Sequence, residues 1–311
     1  MEVLTRILAA GALLAATGCS FLRDPTPVEA TGEQPSVHAV LVTGSDSVKL
    51  LLQRVGPPHR GSGQPVSARP ITGAEVTLET GSQGVRLAES PSARCVAVSL
   101  GAANPSEAQG CYAALLPGGV RPGAAYSLRI RLPGGGTIEG QATALTALRL
   151  ESHPAGTRIF VGKRTYSGND ESTHVPLRLR GAEGAPGAAV EFVPRVVYSR
   201  GQALTQFYCS VEYPRGFVFP RDPQGDLSLR LFGVTCTPRT PNGTPPDPQF
   251  RVDSVRATLR VVAFDSVYTR YVAIQEEQAV SQREATAGVT GAIGLFAAAA
   301  RAESEVVLIP K

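Results

Sequence analysis

The 311-residue chain contains no tryptophan, only three lysines (Lys49, Lys163 and Lys311) and four scattered histidines. Without tryptophan, a carbohydrate platform would have to be built from tyrosine and phenylalanine. The cationic charge is almost all arginine, the net charge is a mild +4, and no basic run of five or more residues occurs, which excludes nucleic acid as a partner. His38, His59, His153 and His174 have no second histidine or carboxylate at ligand spacing, and no Cys-x-x-Cys is present, so neither a zinc ribbon nor a thioredoxin-like site is indicated. The nucleophile elbow G-x-S-x-G is missing. Gly156 to Lys163 imitates a phosphate loop but has five residues between its glycines, and Arg164 stands where Ser or Thr is needed. Gly288, Gly291 and Gly294 recur every third position, which is not a nucleotide-binding spacing; close backbone packing or bulges explain them better. Nothing here points to an enzyme or a cofactor.

Charged residues are sparse at 18%, whereas Gly (33) and Pro (25) are abundant. That balance describes many strands joined by turns. Strict alternation, the mark of a strand with one buried face, is clearest in Ala74-Glu75-Val76-Thr77-Leu78-Glu79 and again over Ala125 to Leu132. Ser36 to Thr43 and Ser47 to Val55 read as strands around Gly44-Ser45-Asp46, and Pro133 to Gly136 as a hairpin turn into Thr137 to Leu145. Further strands are expected at Gly84 to Glu89, Cys95 to Leu100 and Cys111 to Leu115. Beyond residue 147 they are expected at Val175 to Leu179, Ala188 to Pro194, Gln206 to Tyr213, Leu227 to Cys236, Ser254 to Phe264 and finally Val306 to Ile309. After Asp265, a good helix cap, Val267, Tyr271 and Ile274 recur at helical spacing, which predicts an amphipathic helix over about 266–279. The fold expected is mainly β: two tandem sandwich-like domains, 36–146 (immunoglobulin- or prealbumin-like) and 147–311, the second carrying the helix.

The N-terminus has its own signature. Arg6 precedes a short apolar run, Ile7 to Ala16, too short to span a bilayer of roughly 30 Å. Small residues and a cysteine follow in Ala16-Thr17-Gly18-Cys19-Ser20, the layout of a secretory signal peptide over 1–18. Cys19 resembles the lipobox cysteine of bacterial lipoproteins. That resemblance implies a diacylglycerol on its thiol, acylation of the freed amino group and anchorage in the membrane. Cleavage by the general signal peptidase is the alternative. Residues 19–35, rich in proline and poor in apolar side chains, read as a semi-stiff tether.

Of the five cysteines, Cys19 aside, four remain. They allow three pairings, of which the sequence-local one, Cys95 with Cys111 and Cys209 with Cys236, is the simplest in an oxidising compartment.

Two resemblances extend the reading. Pro70-Ile71-Thr72-Gly73-Ala74-Glu75-Val76-Thr77-Leu78, Gly110-Cys111-Tyr112 and Pro122 to Leu128 look like carboxypeptidase-regulatory-type domains, which are not catalytic. Together with the lipoprotein start, the tyrosine-bearing late helix and the tail Gly288 to Phe296, the chain resembles the lipoproteins of the domain-of-unknown-function 4249 family, although Ala292 and Ala297 stand where that tail often has glycine. This resemblance implies an envelope lipoprotein of the outer membrane, working beside a transporter. The expected function is therefore a non-catalytic, lipid-anchored accessory or binding protein. The alternative is a carbohydrate-binding surface lipoprotein using Tyr208, Tyr213, Phe217 and Phe219 around Cys209. A hydrolase assembled from distant residues is the third class.

Overall fold

The computed structural model describes residues 33–56, 68–90, 95, 110–162, 172–199, 207–212, 218–238, 252–276 and 288–310. Cys19, the signal-peptide stretch and nearly all of the tether stretch lie outside the described residues, as do Tyr213 and Phe217. The protein is mainly β, with one helix among the described residues.

β1 (Gln34–Val42) and β2 (Ser47–Val55) form the hairpin expected around Gly44. β1 starts inside the stretch read as tether, because Gln34 and Pro35 already pair with Val55 and Arg54. β3 (Ala68–Pro70), β4 (Glu75–Thr80), β5 (Gln83–Glu89), β6 (Cys111–Leu115), β7 (Ala125–Arg131) and β8 (Thr137–Thr143) complete the first half. Then come β9 (Arg149–Leu150), β10 (Thr157–Val161), β11 (Thr173–Leu177), β12 (Leu179–Arg180) and β13 (Gly187–Ser199). β14 (Phe207–Glu212), β15 (Phe219–Pro220), β16 (Leu227–Leu231), β17 (Gly233–Pro238) and β18 (Val252–Phe264) follow. The chain closes with helix α1 (Ser266–Glu276), β19 (Val289–Thr290) and β20 (Ile293–Pro310).

One sheet runs in the order β15-β13-β18-β20-β1-β2-β6-β5-β4-β7-β8-β19, with β10 added to β20 and β3 to β2. β5 meets β6 only at Ala88 and Glu89, so the sheet bends there and folds back on itself. The alternating residues of β4 and β7 (Val76, Leu78, Tyr126, Leu128, Ile130) thereby face those of β1 and β2 across one core. Tyr112 and Tyr126 fix its corners. The Tyr112 hydroxyl donates to Ile71 O (2.9 Å) and accepts from Ala74 N (3.0 Å), while that of Tyr126 accepts from Arg121 N (2.8 Å). Burial pushes the Tyr112 phenol above its ordinary pKa, which keeps the donor proton in place.

Core membership changes between Ala144 and Leu145, next to the boundary expected at 146/147. The second core lies between β13, β18 and β20 on one side and three small ladders, β9 with β12, β11 with β16, and β14 with β17, on the other. Glu33–Lys311 nevertheless form one compact unit, because β20 belongs to both halves. Its residues 293–299 pair in parallel with β1, 299–308 pair antiparallel with β18, and 306–310 pair in parallel with β10. Where the sequence suggested a glycine-rich tail and a separate short final strand, the structure has a single 18-residue strand. Gly294 lets the start of this strand lie against β1: at φ +111° it approaches Val37 so closely that any Cβ would strike the Val37 carbonyl oxygen.

Helix α1 covers the other face of this sheet, packing Val267, Tyr268, Tyr271 and Val272 on Val40, Phe264, Leu295, Ala297 and Ala299. Asp265 caps it. Its Oδ1 accepts from Tyr268 N (2.8 Å) and its Oδ2 from Ala298 N (2.7 Å) on β20, so one carboxylate both starts the helix and pins it to the sheet.

Candidate functional site

Cys95 is bonded to Cys111 (Cα–Cα 5.3 Å) and Cys209 to Cys236 (Cα–Cα 4.0 Å), joining the two sequence-local pairs. The second bridge lies directly across the β14–β17 ladder, where Cys209 and Cys236 are register partners, and packs with Val211 and Val234 on the second core. Of the aromatic segment around it, Tyr208 has only its backbone described, in β14. Phe219 sits in β15 opposite Ala188 and is half-buried against the second core, so it packs rather than projects. A stacked aromatic pair does exist, Phe264 and Tyr268 with centroids 4.0 Å apart, but it is buried under α1, where desolvation pushes the Tyr268 phenol up to about 12.

Among the described residues, no group of His, Cys, Asp and Glu is arranged to hold a metal ion. Ser152 Oγ lies 2.6 Å from His153 Nδ1. That serine also accepts the Arg178 N–H (2.9 Å), and no described carboxylate hydrogen-bonds the imidazole. The ring is buried, and desolvation lowers its pKa, so the pair ties the turn after β9 to the strand end before β12. Arg221 plays a similar part. Its guanidinium donates to Gly225 O (2.7 Å), Ala182 O (2.9 Å) and Gly181 O (3.3 Å), closing two loops over the edge of the second core.

Two surfaces remain that sequence reasoning did not identify. Past the Asp265 end of α1, the outer face of β13, β18 and β20 becomes a charged ladder. Arg260 donates to Glu303 (2.7 Å) and Glu191 (2.6 Å), Arg195 pairs with Glu305 (3.2 Å), and the Thr258 hydroxyl donates to Glu305 (2.9 Å). Hydrogen bonding from Arg260 holds the Glu303 carboxyl below the usual range. These exposed pairs each contribute at most about 1 kcal/mol, and their main effect is to keep a long flat sheet face wet.

The second surface is β10, whose Ile159 and Val161 are buried while Arg158 and Phe160 point outward. The sequence signal for this strand is the alternation of Thr157 to Val161, which is only five residues long.

A scan against models of known protein families gives no match to this chain. No curated protein matches it either.

Proposed function

We propose that the protein is a non-catalytic lipoprotein of the cell envelope, anchored through Cys19 in the outer membrane, where it serves as accessory or binding partner of a membrane system such as a transporter. The observation that carries this reading is the position of Cys19 directly after the short apolar run and its small residues. The other four cysteines support it, since both pairs are oxidised and such bonds persist in exported proteins. The regulatory-type sandwich and the kinship proposed with the domain-of-unknown-function 4249 lipoproteins agree with a binding role. Two acyl signals give stable attachment where one chain is marginal. Among the described residues no helix is long and apolar enough to cross a membrane.

Growth with radiolabelled palmitate tests the anchor: the native chain incorporates label and the Cys19→Ala variant accumulates as an unlabelled precursor. Label retained by that variant would overturn the reading. Affinity purification of the lipidated chain from its native membrane tests the role. Co-purification of a transporter barrel supports it, whereas clear glycan binding with no protein partner returns the carbohydrate-binding alternative.

A further inference from the structure

Two large apolar side chains stand out in solvent among the described residues, Leu115 and Phe160, and Phe160 is 54% exposed on an edge strand. β10 pairs with β20 on one side, and no described strand pairs with its second edge. Ile159 and Val161, both buried, hold it firmly on the second core, so the edge is a fixed one. Natural edge strands are blunted by charged side chains, prolines or bulges because a bare edge recruits another strand. β10 carries a single such charge, Arg158, next to the outward Phe160, and both stand opposite the half-buried Val307 and Ile309. Arg158 makes no ion pair with a described residue, unlike Arg195, Arg260 and Arg301 on the same sheet face, each of which meets a glutamate.

We propose that the free edge of β10 is the docking site for an extended segment of a protein partner. That segment adds as one more strand, with a carboxylate beside Arg158 and an apolar side chain two residues away beside Phe160. Backbone bonds along the edge supply affinity and the alternate side chains supply specificity. The inference rests on the accessory reading above and names its contact. Charge selects the occupant: Thr157-Arg158-Ile159-Phe160-Val161 contains no carboxylate, so a second copy adding its own β10 brings no partner for the arginine. A bilayer supplies no backbone to pair with an open strand edge, and the edge is also remote from the point where the tether enters. The chain enters the folded unit at Gln34 beside the start of β20, where Ser36 pairs with Ile293, whereas Phe160 pairs with Ile309. At ~3.3 Å per residue the edge lies roughly 50 Å along β20 from that entry point.

The test uses the full lipidated chain in detergent and the capped peptide Thr-Thr-Glu-Thr-Val-Thr-Thr, followed by fluorescence anisotropy and by hydrogen exchange over residues 157–161. The acidic peptide binds and slows exchange there, and its Glu→Lys counterpart binds about fivefold more weakly, as expected when an attractive cross-strand pair becomes repulsive. Arg158→Glu reverses that preference, and Phe160→Ser weakens both peptides. Both side chains are exposed, and an unchanged urea midpoint verifies that the variants fold. Equal affinity for the two peptides, or binding without protection of 157–161, overturns the proposal. So does self-association, or attachment to phosphatidylglycerol vesicles, that Phe160→Ser abolishes. If the peptides fail while a transporter barrel still co-purifies, the edge is wrong and the accessory role stands.

Discussion

Replacing Asp265 with alanine should cost far more than an ordinary helix cap, because its two carboxylate oxygens serve two different elements. Oδ1 caps α1 through Tyr268 N, and loss of such a cap costs about 1 kcal/mol. Oδ2 is the acceptor for Ala298 N on β20, and Ala298 is fully buried. Without it that N–H is left buried and unpaired, at about 1–3 kcal/mol. The sum is about 2–4 kcal/mol. Asp265→Asn keeps one acceptor oxygen but turns an amide toward a donor. Burial raises the pKa of the native carboxyl, so the ionised form is itself disfavoured, and removing the charge offsets part of the loss. Asparagine should therefore fall between wild type and alanine. Urea unfolding gives the energies, and amide exchange at Ala298 locates them: its protection should drop in Asp265→Ala more than that of β4 or β7. If both variants unfold within 0.5 kcal/mol of wild type, or lose protection uniformly, the carboxylate is not the link between helix and sheet.

His38, whose ring meets Tyr271 edge-on (6.3 Å) beneath α1, and His153 both have pKa values lowered by burial. The native state therefore resists protons that the unfolded chain accepts, so stability is complete above pH 6.5 and declines as pH falls below it, by up to about 1.4 kcal/mol per pH unit per histidine. The double variant His38→Gln/His153→Gln should flatten urea midpoints between pH 7 and 5.5; an unchanged slope would show that neither ring stays neutral on folding. For the disulfides, chain entropy gives about 3 kcal/mol for Cys95–Cys111, separated by 16 residues, and about 3.5 kcal/mol for Cys209–Cys236, separated by 27. Paired Cys→Ala variants measured by urea unfolding should lose about those amounts, and a loss below 1 kcal/mol in either pair would mean that the unfolded chain is already restrained there.

The strands that sequence reading located best are those with one wet face. β4 and β7 alternate apolar and polar residues because one side meets the first core and the other meets water. α1 was legible for the same reason, since Val267 and Tyr271 recur on the face that packs on the sheet. β20 was not. Its first half is covered on both faces, by a core below and the helix above, so Leu295 to Ala300 are all buried and the period of two vanishes. Four successive alanines, weak strand formers, hide it further. The edge at β10 was illegible for a different reason. Whether Phe160 is covered depends on which strand lies beside it, and no local pattern encodes that.

The same strand explains why the two cores cannot slide against each other. Phe296 enters the first core, and Ala298, Ala300, Val306 and Leu308 enter the second, all from even positions of β20. The odd positions change character instead: Leu295, Ala297 and Ala299 lie under α1, while Arg301, Glu303 and Glu305 lie in the charged ladder. A shift of one residue would carry Glu303 and Glu305 into the second core and Phe296 under the helix, so the pattern of this strand fixes one register for both halves at once. Gly294 enforces that register from the first half, because a slip would bring a side chain against the Val37 carbonyl. Asp265 enforces it from the second by binding Ala298 N. β10, added at the end of this strand, takes its place from the same register, so the exposed row of Arg158 and Phe160 is held by contacts that extend back to β1.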